Sequence, residues 1–266
     1  MTLVVEKIPW REAVKLTLPK EHGSWSLALE PVALGLLVAP SSAGLALTLA
    51  AVTGFFLRRP IKLALTGKRD ERQPVAVICV ATLMLVVISG LFLAARLGAS
   101  GGLWPLLPAA FAGAVFAWCD GRNEAREGAA EVAGAMAFGI LPATFGALAG
   151  WSVATSLALA VVMLVRSVPT VLMVRTCLRI RKGQKFMIAP ALVAAGAGFG
   201  FVVWLATLHL APWTAAIFAL VFLARAIWLL LWRPPMTART LGITELMLGL
   251  ITVLVLALVW KNGCGW

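Results

Sequence analysis

The sequence has only two histidines and four cysteines in 266 residues. His22 and His209 fall at opposite ends of the apolar pattern described below, about 30 Å apart across a bilayer, so one haem held by both is excluded. Cys79, Cys119, Cys177 and Cys264 form no CxxC pair and no zinc-ligand spacing. They read as small apolar residues or spare thiols. Acids are scarcer still in context. Eleven Asp and Glu face 23 Lys and Arg, and no acid occurs between Glu131 and Glu245. Charged residues make up 13%, against roughly a quarter in a soluble domain. No long polar stretch is available for a soluble domain beyond the N-terminal segment, and no cleavable signal peptide precedes the first apolar run.

What fills the chain instead is apolar. Hydrophobic residues reach 61%, and mean hydropathy is +0.96. The runs are near the 17–25 residues that cross hydrocarbon as a helix. We read nine: Ser24–Ala39, Ser42–Leu57, Val75–Ala95, Trp104–Cys119, Val132–Leu148, Ser152–Val174, Met187–Leu208, Pro212–Trp232 and Ile243–Trp260. The expected fold is an all-α membrane protein, a bundle of about nine transmembrane helices. Residues 1–23 form an N-terminal segment, 24–260 the polytopic domain and 261–266 a short tail.

The net charge of +12 would suggest nucleic acid in a soluble protein. Here the cations sit in short segments beside apolar runs, which points to topology and anionic lipid instead. Nineteen Lys and Arg fall on one side of the nine-span pattern and two, Arg96 and Lys261, on the other. The expectation is a cytoplasmic N-terminus, an extracytoplasmic C-terminus and a bacterial plasma membrane. Tryptophans near span ends, such as Trp25, Trp104, Trp151, Trp213 and Trp260, fit interfacial belts. Gly146 with Gly150, and Gly196, Gly198 and Gly200, mark close helix contacts.

Three groups of residues are candidates for chemistry. Glu30, Arg166 and Arg225 lie within apolar runs, where a central charge costs about 2.5–3.5 kcal/mol. They either pair internally, Glu30 with Arg166 and Arg225 with Glu131 or Glu245, or line a polar cavity. Asp120, Glu124, Glu127 and Glu131 share one face if helical. That face is either a salt-bridge layer against basic segments or a weak magnesium site, with Asp120 and Glu124 as ligands. Arg58, Arg59, Arg175, Arg179 and Lys185 gather after the second and sixth runs, where guanidinium forks suit phosphate oxygens. With Glu30, Arg166 and His22 these form the candidate substrate-binding set.

The stretch Leu18-Pro19-Lys20-Glu21-His22-Gly23-Ser24-Trp25 resembles the opening motif of bacterial YwiC-like membrane proteins. Asp120 to Gly134, with Asp120, Arg122, Arg126 and Glu131, is similar to that family too, and the resemblance runs over most of the chain. It implies no particular activity. A more distant likeness is to the UbiA superfamily of intramembrane prenyltransferases. Glu30-Pro31-Val32-Ala33-Leu34-Gly35 looks like their first helix. Glu131-Val132-Ala133-Gly134 with Gly139 and Gly146 looks like their fifth, and Arg175 to Lys185 falls where their second aspartate motif would be. This likeness implies a bound isoprenoid or quinone-type lipid. Those enzymes hold magnesium and diphosphate with aspartates in both loops. Here only Asp70 and Glu71 follow the second run, and no acid follows the sixth. The expectation is a binder or degenerate transferase of a lipid with an anionic head. The alternatives are a small-molecule or ion-coupled transporter and a membrane-embedded interaction subunit.

Overall fold

The computed structural model describes residues 22–65, 73–122, 124 and 127–261, without the side chains of 22–24 and 261. The described residues hold helices and no strand. In chain order they are α1 (His22–Val38), α2 (Ser42–Leu65), α3 (Gln73–Leu97), α4 (Leu106–Gly121), α5 (Gly128–Gly139), α6 (Leu141–Leu148), α7 (Val153–Arg181), α8 (Ala189–Thr207), α9 (Trp213–Ile227) and α10 (Ala238–Lys261). A π turn, Trp228–Trp232, continues α9.

Seven of these stretches are long and apolar enough to cross a membrane, counting α5 with α6 and α9 with its π turn. The apolar parts of α1 and α4, Trp25–Val38 and Leu106–Gly121, are shorter. At 1.5 Å per residue they fall short of the roughly 30 Å hydrocarbon thickness. The protein is an all-α, multi-pass membrane bundle whose helices follow the nine apolar runs in order.

Local chemistry sets the helix ends. Ser41 Oγ accepts from the Gly44 amide at 2.9 Å, opening α2, and Ser152 Oγ accepts from the Thr155 amide at 3.1 Å, opening α7. Gly183 closes α7 in the left-handed region, φ +74°, with the Gln184 amide donating back to the Arg179 carbonyl at 3.1 Å. The fifth run is not one helix. It breaks at Ile140, and Pro142 sits in the first turn of α6, where a missing N–H is tolerated. Every residue of α6 is buried.

α1 is the joint between two apolar cores. Its Leu34 and Val38 pack with Leu159, Val202, Ala216 and Leu256 of α7 to α10. Its Val32 packs with Ala43, Leu47, Ala94 and Phe145 of α2, α3 and α6. A third cluster, including Met173, Cys177, Ala191, Leu230 and Leu241, closes one end of the α7–α10 group. Of the glycines expected at contacts, two are there. A β-carbon at Gly146 would lie 3.0 Å from Ser156 Oγ of α7, and one at Gly198 would lie 2.9 Å from Val165. Gly150, Gly196 and Gly200 face open space, so the small-residue pattern overstated the packing.

Two boundaries differ from the hydropathy reading in a way that matters for the site. α2 runs to Leu65, past the apolar limit at Leu57, and α7 runs to Arg181, past Val174. Arg58, Arg59, Lys62, Arg175 and Arg179 therefore stand on helices, not in loops. A helix satisfies its backbone internally, so it can continue beyond the hydrocarbon while long basic side chains reach the polar boundary.

Candidate functional site

Arg166 sits midway along α7 and is 3% exposed. A guanidinium there is stable only if oxygens surround it, and three residues, Glu30 of α1, Glu245 of α10 and Thr170 of α7 itself, supply them. Nη2 donates to the Glu245 carbonyl at 2.8 Å and lies 3.5 Å from Glu30 Oε1. Nη1 donates to Thr170 Oγ1 at 2.7 Å and lies 3.6 Å from Glu245 Oε2. The guanidinium carbon stands 5.0 Å from the centre of the Phe222 ring, a cation–π contact. Thr170 is one turn beyond Arg166, and Ser26 is one turn before Glu30, to whose Oε1 its hydroxyl donates.

Glu245 joins this group to a second arginine. Its Oε1 accepts from Arg225 Nε at 2.6 Å, and Arg225 Nη2 donates to Thr244 Oγ1 at 2.7 Å. Glu30 of α1, Arg166 of α7, Arg225 of α9 and Glu245 of α10 thus form one quartet of two acids and two bases, buried except at Arg225, whose side chain is 18% exposed. Both internal pairs considered from the sequence, Glu30 with Arg166 and Arg225 with Glu245, are present. Glu131 is elsewhere. Sequence reasoning missed Ser26, Thr170, Thr244 and Phe222, and also Gly249, whose lack of a β-carbon leaves room for the Glu30 carboxylate. The signal for Ser26 and Thr170 was available, as each stands four residues from the charge it serves.

The basic end of the bundle holds a different set of pairs. Asp120, the last acid of α4, faces Arg58 at 3.3 Å and Lys62 at 3.2 Å. Lys62 Nζ also donates to the Asp120 carbonyl at 3.3 Å. Arg58 stacks on Phe116 at 4.8 Å. Arg175 of α7 meets Glu131 of α5 at 2.9 Å. Arg59 is half-buried on α2. The acidic face expected from Asp120 to Glu131 does not exist as one helix, because α4 ends at Gly121 and α5 begins at Gly128. Asp120 and Glu131 instead form the salt-bridge layer against basic helix ends. Glu124 is exposed, and no three His, Cys, Asp or Glu converge among the described residues. The Asp120 carboxylate accepts from both Arg58 and Lys62.

Arg179, Arg181, Lys182 and Lys185 end α7 and enter the following turn. Arg179 stacks on Phe186 at 4.9 Å. Arg181 Nη2 donates to the Pro234 carbonyl at 3.0 Å, placing this group beside the end of α9. None of the four meets a carboxylate among the described residues. His22 opens α1, but its side chain lies outside the described residues. So do Asp70, Glu71, Arg126 and the motif residues before His22.

Residues 18–141 match the family model of YwiC-like proteins. The match is narrower than the resemblance read from the sequence, as it stops just short of half the chain. It includes Glu30, Arg58, Asp120 and Glu131, and excludes Arg166, Arg175, Arg225 and Glu245. No curated protein and no solved structure matches the chain.

Proposed function

We propose that this chain, YwiC-like through residue 141, binds a lipid with an anionic headgroup at its basic end. That end faces the cytosol of a bacterial plasma membrane, with the N-terminus inside and the C-terminus outside. The observation that carries this reading is the cluster of Arg179, Arg181, Lys182 and Lys185, which meets no acid among the described residues. Arg58, Lys62 and Arg175 are matched by Asp120 and Glu131 and act as ties between helices. The four cations at the end of α7 have no such match among the described residues, and guanidinium and ammonium groups at a membrane boundary attract phosphate oxygens. The distant likeness to UbiA-type proteins supports an isoprenoid diphosphate as one such lipid. The absence of paired aspartates supports binding over magnesium-dependent transfer.

The purified chain in detergent is the test, by thermal unfolding and native mass spectrometry. Phosphatidylglycerol and a prenyl diphosphate should stabilise it more than phosphatidylcholine, since a ligand of the native state raises the unfolding midpoint. Replacing Arg179, Arg181, Lys182 and Lys185 by Gln should erase the difference. Equal response of the wild-type chain to anionic and zwitterionic lipid would overturn the reading.

A second reading, an ion-coupled transporter, is favoured by one feature. The quartet lies within spans, and Pro31 and Pro169 lie inside the two helices that carry Glu30 and Arg166. Uptake into proteoliposomes that is lost in Glu30→Gln and Arg166→Gln would support it.

A further inference from the structure

The quartet has one side that is not enclosed. Between α9 and α10 an open groove of about 560 Å³ is lined by Val221, Trp228, Met247 and Ile251, with Arg225 and Thr244 in its wall. The four apolar residues are exposed on the bundle surface. The π turn begins at Trp228, an irregularity that recurs at functional sites.

Arg225 decides what fits. Its charge is already matched by Glu245 at 2.6 Å, and its Nη2 is held by Thr244 at 2.7 Å. Nη1 makes no hydrogen bond to a described residue. The wall therefore offers a strong donor that lacks an acceptor but not a counter-charge. Arg225 lies two turns inside Arg233, so a phosphate beside it would add an unmatched negative charge below the polar boundary. A neutral carbonyl oxygen supplies the acceptor without that penalty. The indole face of Trp228 suits a flat conjugated ring, and the remaining wall suits a hydrocarbon tail.

We propose that this groove binds a long-chain lipid with a quinone-type head, one ring carbonyl accepting from Arg225 and the ring lying against Trp228. The site is separate from the basic end, and the ligand enters sideways from the bilayer between α9 and α10.

The test uses the full chain in detergent, titrated with a decyl-substituted benzoquinone and, in parallel, with decyl phosphate. Tryptophan quenching and thermal unfolding are the readouts. Wild-type protein should show saturable quenching by the quinone that is largely lost in Trp228→Phe. Arg225→Lys, which keeps the charge but loses the fork, should weaken binding about tenfold, the worth of one hydrogen bond. Ile251→Trp fills the groove without touching the partners of Arg225, and should abolish saturation while elution volume and helical content stay unchanged. The glutamine variant of Arg179, Arg181, Lys182 and Lys185 should bind the quinone normally, which keeps this outcome distinct from the headgroup reading. Quenching that only rises linearly, as for annular solvation, would overturn the proposal. So would undiminished binding in Ile251→Trp, or decyl phosphate displacing the quinone.

Discussion

Gly249 of α10 leaves the space that the Glu30 carboxylate of α1 occupies. A β-carbon at Gly249 would overlap the carboxylate oxygens of Glu30. The absence of a side chain on one helix is therefore what lets an acid on another approach Arg166. Gly249→Ala should force the carboxylate aside and lower stability by about 1–3 kcal/mol, as overpacking does. Thermal unfolding in detergent measures it. In a double-mutant cycle with Glu30→Ala, the double mutant should lose less than the sum of the two single losses. Strict additivity would mean that the two positions do not share this space.

Glu245 bridges two arginines, whereas Glu30 meets one. Glu245→Ala should therefore be the more damaging of the two acid changes, by about 3–5 kcal/mol, because it leaves Arg225 with no carboxylate and Arg166 with Glu30 alone. Glu30→Gln keeps the volume and an acceptor for Ser26 and Arg166, and should do less. Equal losses in unfolding midpoint would contradict the bridging geometry.

Asp120 is the contrasting case. Its partners Arg58 and Lys62 have side chains 36% and 47% exposed, where ion pairs contribute about 1 kcal/mol or less. Asp120→Asn should change stability by no more than that, and rising salt should shrink the difference. A loss comparable to Glu245→Ala would place this pair in a drier setting than the one seen.

The ends of α2 and α7 lie at the same end of the bundle, and the turn between α3 and α4 at the other. In a chain with Cys79, Cys119, Cys177 and Cys264 replaced, single cysteines at Lys62 and Lys185 should react with an impermeant maleimide from one membrane face. A cysteine at Ser100 should react from the opposite face. Labelling of Lys62 and Lys185 from different faces would contradict the bundle's arrangement.

The apolar runs made the order of the helices legible, since each run is long against its polar punctuation, although the fifth run holds two helices. The ends were not legible. Hydropathy stops counting at Leu57 and Val174, while backbone hydrogen bonding carries the helices to Leu65 and Arg181. The break at Ile140 was written in Gly139 and Pro142, but a continuous apolar run hid it. Charge balance made Glu30 with Arg166 an available pair. It left Arg225 open between Glu131 and Glu245, because the choice depends on which helices neighbour α9, and that is a tertiary fact. Gly249 carried no signal at all, for a glycine in an apolar helix is common in membranes.

Because the sole acid within α1 faces a cation supplied by α7, neither half of the polypeptide is electrically self-sufficient in the bilayer. A chain severed in the turn at Gly150–Trp151 would leave its leading fragment with an orphaned carboxylate. Two such fragments produced together in one cell should survive as a complementing pair, and each produced alone should be degraded.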